Sequence, residues 1–431
     1  MTATKALPVG TTMELDVGPI AHGGHCVARH DGRVIFVRHS LPGERVRARI
    51  TSDNGKAFAL AEAVEILTPS PDRVRPPCRF SGAGGCGGCD WQHAEPAAVR
   101  RGKATVVREQ LLRLGGLSIG QLDKLGLTED ASAEALPGGP LGWRTRMRYA
   151  VDDEGRAGFH PHRSGKVLPI DDCLIATDAV RAIDVLGRTH PGLAGVDVVA
   201  SSAGDRAVVV RPHAKVRADP ARWPEEVAVL DGGAHPAASR RGHNRVREDA
   251  AGRRWLVHAD GFWQVHPAAA TALSDAVIAE VDPRPGQTAL DLYCGVGLFA
   301  GALGVQVGRY GKVFAVESDR PAADNARRNL RDVPAVVVST GGVGGWLRKN
   351  KIDKLDAVVL DPPRTGAGAT VCRQLTALNP PVICYVACDP AALARDTRVL
   401  AGNGYELTSL RVFDAFPMTH HIECVAAFRP S

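Results

Sequence analysis

Near the end of the chain, Cys388 follows the apolar run ICYV and precedes Asp389-Pro390. A cysteine just past the C-terminal edge of a buried strand lies where open α/β sheets form their ligand crevice. A thiolate there suits one demanding task. Sulfur added at C6 of a uracil converts C5, a poor nucleophile, into an enolate-like carbon that can take an electrophilic methyl group. The adduct then needs a base to remove the C5 proton, and Glu423, in His420-His421-Ile422-Glu423-Cys424, is the candidate. Asp361 follows the run AVVL and is locked by Pro362 and Pro363, which suits it to hold a substrate edge beside a cofactor.

The segment TALDLYCGVGLFA, 288–300, sets a hydrophobic strand directly before a glycine turn, and Glu317 closes the next strand. That order places Gly295 and Gly297 beneath a nucleotide-like ligand and aims Glu317 at a ribose diol. The glycines alone do not separate NAD from S-adenosylmethionine (AdoMet), since Ala300 fills the third position of the dinucleotide pattern; the downstream DPP and Cys segments favour the methyl donor. A further constellation is Cys78, Cys86 and Cys89 in a C-x7-C-x2-C pattern, with Cys173 remote from it. Four thiolates can hold tetrahedral zinc or an iron–sulfur cluster, and spacing leaves both open. The pattern is not the compact three-Cys motif of radical AdoMet enzymes, so a cluster here is expected to staple the fold. Period-two alternation puts Arg144, Arg146 and Arg148 on one face of a strand as a candidate phosphate-facing ridge. Arg364 joins these candidates; it stands where amino-directed methyltransferases carry an aromatic residue after DPP, which argues against an exocyclic amine as acceptor.

These residues need a scaffold, and the hydrophobic pattern supplies one. From about residue 268 helices and strands alternate, with strands expected at 288–292, 313–317, 335–338, 357–360, 382–386 and 421–428. That succession predicts a largely parallel sheet covered by helices. The opening segment reads as short strands at 13–17, 34–37, 46–50 and 58–67, punctuated by Gly and Pro, which predicts a small OB-like barrel. Residues 97–114 read as a helix stopped by Gly115-Gly116, and strands are expected at 143–151 and 206–211 in a middle region. A length of 431 residues suits two or three domains. With 10 cysteines in a chain this size, a small disulfide scaffold is excluded. The formal charge of +6, carried mostly by arginine, permits a nucleic-acid partner without demanding one. No apolar stretch is long enough to span a bilayer and no secretory leader is evident, so a cytoplasmic, non-membrane protein is expected.

Taken together, these segments resemble the bacterial 5-methyluridine RNA methyltransferase family over nearly the whole chain. The stretch AHGGHCVARHDGRVIFVRHSLPGE, 21–44, resembles its RNA-binding TRAM domain, and CRFSGAGGCGGCDWQH, 78–93, its iron–sulfur segment. The resemblance implies a [4Fe-4S] cluster on Cys78, Cys86, Cys89 and Cys173, with zinc the runner-up. It assigns AdoMet contacts to Gln264 in GFWQVHP, to Asp291, Tyr293, Gly295, Gly297 and Glu317, and to Asp361. It makes Cys388 the nucleophile and Glu423 the base. The implied architecture is multidomain α/β: a TRAM β-barrel (1–68), a small α+β iron–sulfur middle domain (69–94 and 117–255) and a Rossmann-like AdoMet methyltransferase domain (95–116 and 256–431). The implied partner is structured RNA, tRNA or 23S rRNA, met by a monomer. Two rivals are an amino-directed nucleic-acid methyltransferase using DPP and a catalytically silent RNA-binding or folding factor. The chain departs from the family at Asp389, where Asn is frequent, and at Ser339-Thr340, where an acidic residue commonly meets the adenine amine.

Overall fold

The computed structural model describes residues 6–55, 57–213 and 219–431. The N-terminal strands Thr12–Ala21, His25–His30, Arg33–Arg38, Arg45–Asp53 and Phe58–Thr68 close into a five-stranded barrel. Alternation fills its interior with Leu15, Val17, Ile35, Val37, Val46, Ala48 and Ile50, all buried, while Arg45, Arg47 and Arg49 point outward to Glu14, Glu65 and Glu62. Strand His25–His30 lies just beyond the GPIAHGG turn; its polar ends hide it from a hydrophobic-run reading.

The C-terminal sheet has eight strands in the order 336–340, 312–317, 288–292, 357–360, 383–387, 423–430, 405–414 and 134–135. The first five are parallel neighbours and the strand Glu423–Pro430 runs antiparallel to Ile383–Ala387. Ala357–Leu360 and Ile383–Ala387 are buried at every position, because helices cover both faces and leave no solvent side to mark with polar residues. The order reverses at strand Thr288–Leu292, so the crevice beyond its C-terminal end, shared with Ala357–Leu360, is the topological switch point of the sheet. Strand Tyr405–Asp414 interleaves charged residues with apolar ones and was not among the expected strands; its pairing with the last strand is what makes it one.

Between these modules, strands 146–151, 157–159, 168–169, 193–200, 206–212, 227–231 and 238–241 form a seven-stranded sheet with its own core around Val196, Val198, Val208, Val210 and Val229. A separate hairpin, Arg245–Ala250 and Arg253–His258, lays Trp255 and Val257 into the core of the C-terminal domain. Helix Pro96–Gln110 precedes the middle sheet in sequence but packs between barrel and C-terminal domain. A Cβ at Gly102 would sit 2.6 Å from Ile20 Cδ1, and Lys103 reaches across to Asp414. Among the described residues no helix is long and apolar enough to cross a membrane.

Candidate active site

At the switch point the chain turns from strand Thr288–Leu292 into helix Leu298–Val307 with φ of 64° at Tyr293, 55° at Gly295 and 94° at Gly297. Gly297 is required twice over, since a Cβ there would also lie 2.7 Å from Leu330 Cδ1. At Gly295 a Cβ would meet nothing within 4 Å, so this glycine borders open space. Its amide donates to Glu317 Oε2 at 2.8 Å, and Glu317 Oε1 accepts from the Asp319 amide at 2.7 Å, which fixes the carboxylate at the tip of its strand. Asp291 is fully buried; its Oδ2 accepts the Ala300 amide at 2.7 Å, while Oδ1 has no partner in the described structure. Burial, with the nearby charges of Asp361 and Glu317, pushes its pKa up to about 8. An unpartnered buried carboxylate oxygen beside an open glycine turn is what a cationic, hydrogen-bonding ligand such as AdoMet would complete.

Register brings the candidate reacting groups together. Ala387 pairs with Cys424 in the antiparallel ladder, and one further step sets Cys388 opposite Glu423. Asp361 directly follows the parallel strand on the other side of Ile383–Ala387, near enough for its charge to act on both Cys388 and Glu423. Cys388 is half-buried, and burial together with Glu423 and Asp361 pushes its thiol up to about 12, opposed by the exposed Arg364. Asp361 rises to about 7 through burial and the charge of Glu317. Glu423, almost wholly buried, is raised well above the ordinary carboxylate range by burial and Asp361, and Arg364 again opposes. The centre is therefore a proton-rich set of acids and a thiol with one guanidinium at its rim.

The loop that leads into Glu423 is held from two sides by residues that the sequence does not mark. Lys103 is completely buried; its Nζ donates to Asp414 Oδ1 at 2.6 Å, to the Phe416 carbonyl at 3.0 Å and to the His421 carbonyl at 2.6 Å. Asp90 accepts from Arg38 Nη2 at 2.7 Å and pairs with His420 Nδ1 at 2.6 Å. No local motif announces these pairs, because their partners lie far apart in sequence. A buried Lys in an apparently amphipathic helix was the available signal.

The three arginines of the expected ridge take different partners. Arg146 is drawn inward, donating to Glu248 Oε1 at 2.9 Å and to the carbonyls of Ala259 and Gly261, so it holds the GFWQ segment and faces no solvent groove. Arg148 is exposed but forms a two-pronged pair with Asp197, and Arg144 donates to the Arg146 carbonyl. The alternation that suggested a ridge is real, but Arg148 pairs with Asp197 of the adjacent strand and Arg146 with Glu248 of the separate hairpin. Gln264 is buried in the segment that Thr145 anchors through the Val265 carbonyl, and Phe262, two residues earlier, is 75% exposed. Cys78, Cys86, Cys89 and Cys173 all line one cavity of about 230 Å³, which Arg144 and Arg148 also border. Among the described residues no group of three or more His, Cys, Asp or Glu side chains is arranged to hold a metal ion.

Comparison with known proteins agrees with this geometry. The TRAM domain family matches residues 7–64, and the tRNA (Uracil-5-)-methyltransferase family matches residues 347–429, the segment holding Asp361, Cys388 and Glu423. An uncharacterized RNA methyltransferase of Streptomyces coelicolor is 48% identical over 98% of this chain and 94% of its own length. The 23S rRNA (uracil(1939)-C(5))-methyltransferase RlmD of Pseudomonas putida is 32% identical, covering 99% of this chain and 95% of its own. The fold matches that of Pyrococcus abyssi tRNA (uracil-54, C5)-methyltransferase, with a TM-score of 0.70 at 21% identity, covering 96% of this chain and all of that one. A barrel matched to the TRAM domain, a methyltransferase sheet with its acids at the switch point, and a thiol opposite a buried glutamate thus sit in one chain with full-length relatives, and the chain belongs to the RNA (uracil-C5)-methyltransferase family.

Proposed function

We propose that this protein transfers the methyl group of AdoMet to C5 of a uridine in structured RNA through a covalent adduct with Cys388. The observation that carries the reading is the register that sets Cys388 opposite Glu423, with Asp361 at the end of the adjacent strand. AdoMet, when bound, supplies an electrophilic methyl on a sulfonium. Asp291, Tyr293, Gly295, Gly297, Glu317 and Gln264 would hold it, Glu317 at the ribose.

The chain's own residues do the rest. Asp361 holds the uracil edge. The Cys388 sulfur adds to C6, and the electron pair of the C5–C6 double bond moves to C5 and the adjoining carbonyl. C5 forms its bond to the methyl carbon as the carbon–sulfonium bond breaks. Glu423 takes the C5 proton, the double bond re-forms and the Cys388 thiolate leaves. The high proton affinity of buried Glu423 favours that abstraction, provided it enters the step ionised. Sulfur must approach the ring from its face, so the uridine has to leave its stack.

Tests begin with RNA. Nucleoside mapping of tRNA and large-subunit rRNA from a deletion strain is expected to show loss of 5-methyluridine at one position, restored by the purified protein and labelled AdoMet. Methyl groups on adenine N6 or guanine N2, RNA binding without transfer, or no loss in either pool would overturn the reading.

The raised carboxyls give a second test. AdoMet brings net positive charge, which favours the ionised forms of Asp291 and Asp361 and so lowers their pKa values from about 8 and about 7. Binding should release protons, and affinity should rise as pH increases from about 6 to about 7.5, since fewer protons then have to leave. Calorimetry in two buffers of different ionisation enthalpy checks this; pH-independent affinity with no proton release contradicts it.

The four cysteines around one cavity support a [4Fe-4S] cluster held by Cys78, Cys86, Cys89 and Cys173. Thiolates spread around a void suit a cluster, where each binds a separate iron, better than one tetrahedral zinc ion. Its role in this reading is to staple the segment 78–93 to the middle sheet.

A further inference from the structure

Asp389 sets a carboxylate directly beside the thiol that must ionise, and the structure gives it two partners. Its Oδ1 accepts the Ala392 amide at 2.7 Å, capping helix Pro390–Ala401. Its Oδ2 lies 3.1 Å from Nε2 of His22, a residue of the barrel turn. The same turn reaches the base loop: a Cβ at Gly24 would lie 2.8 Å from Cβ of His420, three residues before Glu423, and Trp91 Nε1 donates to the Gly24 carbonyl at 3.2 Å. One turn of the barrel thus abuts both the nucleophile segment and the base loop. Around Cys388 stand Glu423 and Asp361 from the neighbouring strands and Asp389 at its side, opposed by Arg364. Asp389 itself is faced by His22 and Arg395. Without His22, Asp389 would lose its partner from the barrel and keep its cap bond and the charge of Arg395.

We propose that His22 is a positioning residue for methyl transfer: from the barrel it holds Asp389 in the helix cap and screens that carboxylate from Cys388, so that the seating of the barrel sets the readiness of the nucleophile. This rests on Cys388 being the attacking group, but its test does not use the methylation reaction.

The full-length protein is treated with iodoacetamide between about pH 7 and 10, and alkylation of the Cys388 peptide is timed by mass spectrometry, with AdoMet binding as the check on folding. His22→Ala is expected to slow Cys388 alkylation about three- to tenfold near pH 8 and to move its pH profile upward, the size of half to one pK unit. His22→Gln keeps a hydrogen-bond donor in a different geometry and should fall between. In an Asp389→Asn background, which removes the charge to be screened, His22→Ala should have no effect. An unchanged profile in His22→Ala, or equal slowing in both backgrounds, overturns the proposal. Should His22→Ala lose AdoMet binding, His22→Gln compared in the two backgrounds decides the same question. A failure of the nucleophile assignment shows separately, as methylation surviving Cys388→Ala.

Discussion

Cys388→Ala is expected to reduce RNA methylation by roughly three orders of magnitude or more while leaving AdoMet affinity near that of the wild type. The large effect follows from chemistry: without sulfur at C6, C5 of uracil has no enolate character and does not attack the methyl group. The small one follows from position, since Cys388 lies beyond strand Ile383–Ala387, two strands from the glycine turn at Gly295. Two readouts separate these outcomes. RNA containing 5-fluorouridine, which cannot lose its C5 substituent as a proton, should form a denaturation-resistant adduct with the wild type and none with the variant. Full methylation by Cys388→Ala would remove it from the mechanism.

Glu423→Gln carries the second large effect and fails at a later step. Sulfur addition and methyl transfer should both proceed, but with no base at C5 the double bond does not re-form. The methylated RNA should therefore stay attached to Cys388, with release slowed roughly 10²–10⁴-fold, the range usual for loss of a general base. Gln keeps the shape of the side chain and removes a buried carboxyl whose charge also disfavours the thiolate. Adduct formation should then be as fast as in the wild type or faster. Denaturing electrophoresis after addition of unmodified substrate RNA measures the accumulation. Normal release places the base elsewhere, Asp361 being next in line by position.

Much of this site could be read locally. AVVL-Asp361, ICYV-Ala387-Cys388 and TALDL before the glycine turn are each a buried strand with its functional residue at the C-terminal end, and the structure places all three on adjacent strands of one sheet. A strand buried on both faces is uniformly apolar, so its end is sharp in sequence, and the residue just past it is in the crevice by topology. The barrel strands were legible for the complementary reason, since their alternation marks one face.

Charge was a poorer guide. Arg146 looked like a ligand for phosphate and proved to be a partner for Glu248, more than one hundred positions away, because alternation reports which face a side chain takes and says nothing about what lies opposite it. Lys103, Asp90 and His22 are the converse: unremarkable in sequence, yet joined to Asp414, His420 and Asp389 across module boundaries. Such pairs depend on how the barrel, the cysteine segment and the C-terminal domain dock, with the helix Pro96–Gln110 packed against both barrel and C-terminal domain.

Order along the chain was thus enough for the sheet, the barrel and the glycine turn, because hydrophobic period and strand-end position are local properties. That Cys388 faces Glu423, that Asp291 keeps an unsatisfied oxygen, that four cysteines border one cavity, and that a barrel histidine meets the carboxylate beside the nucleophile came from tertiary structure alone. Those are relations between distant segments, fixed by register and packing, and no local pattern of residues encodes them.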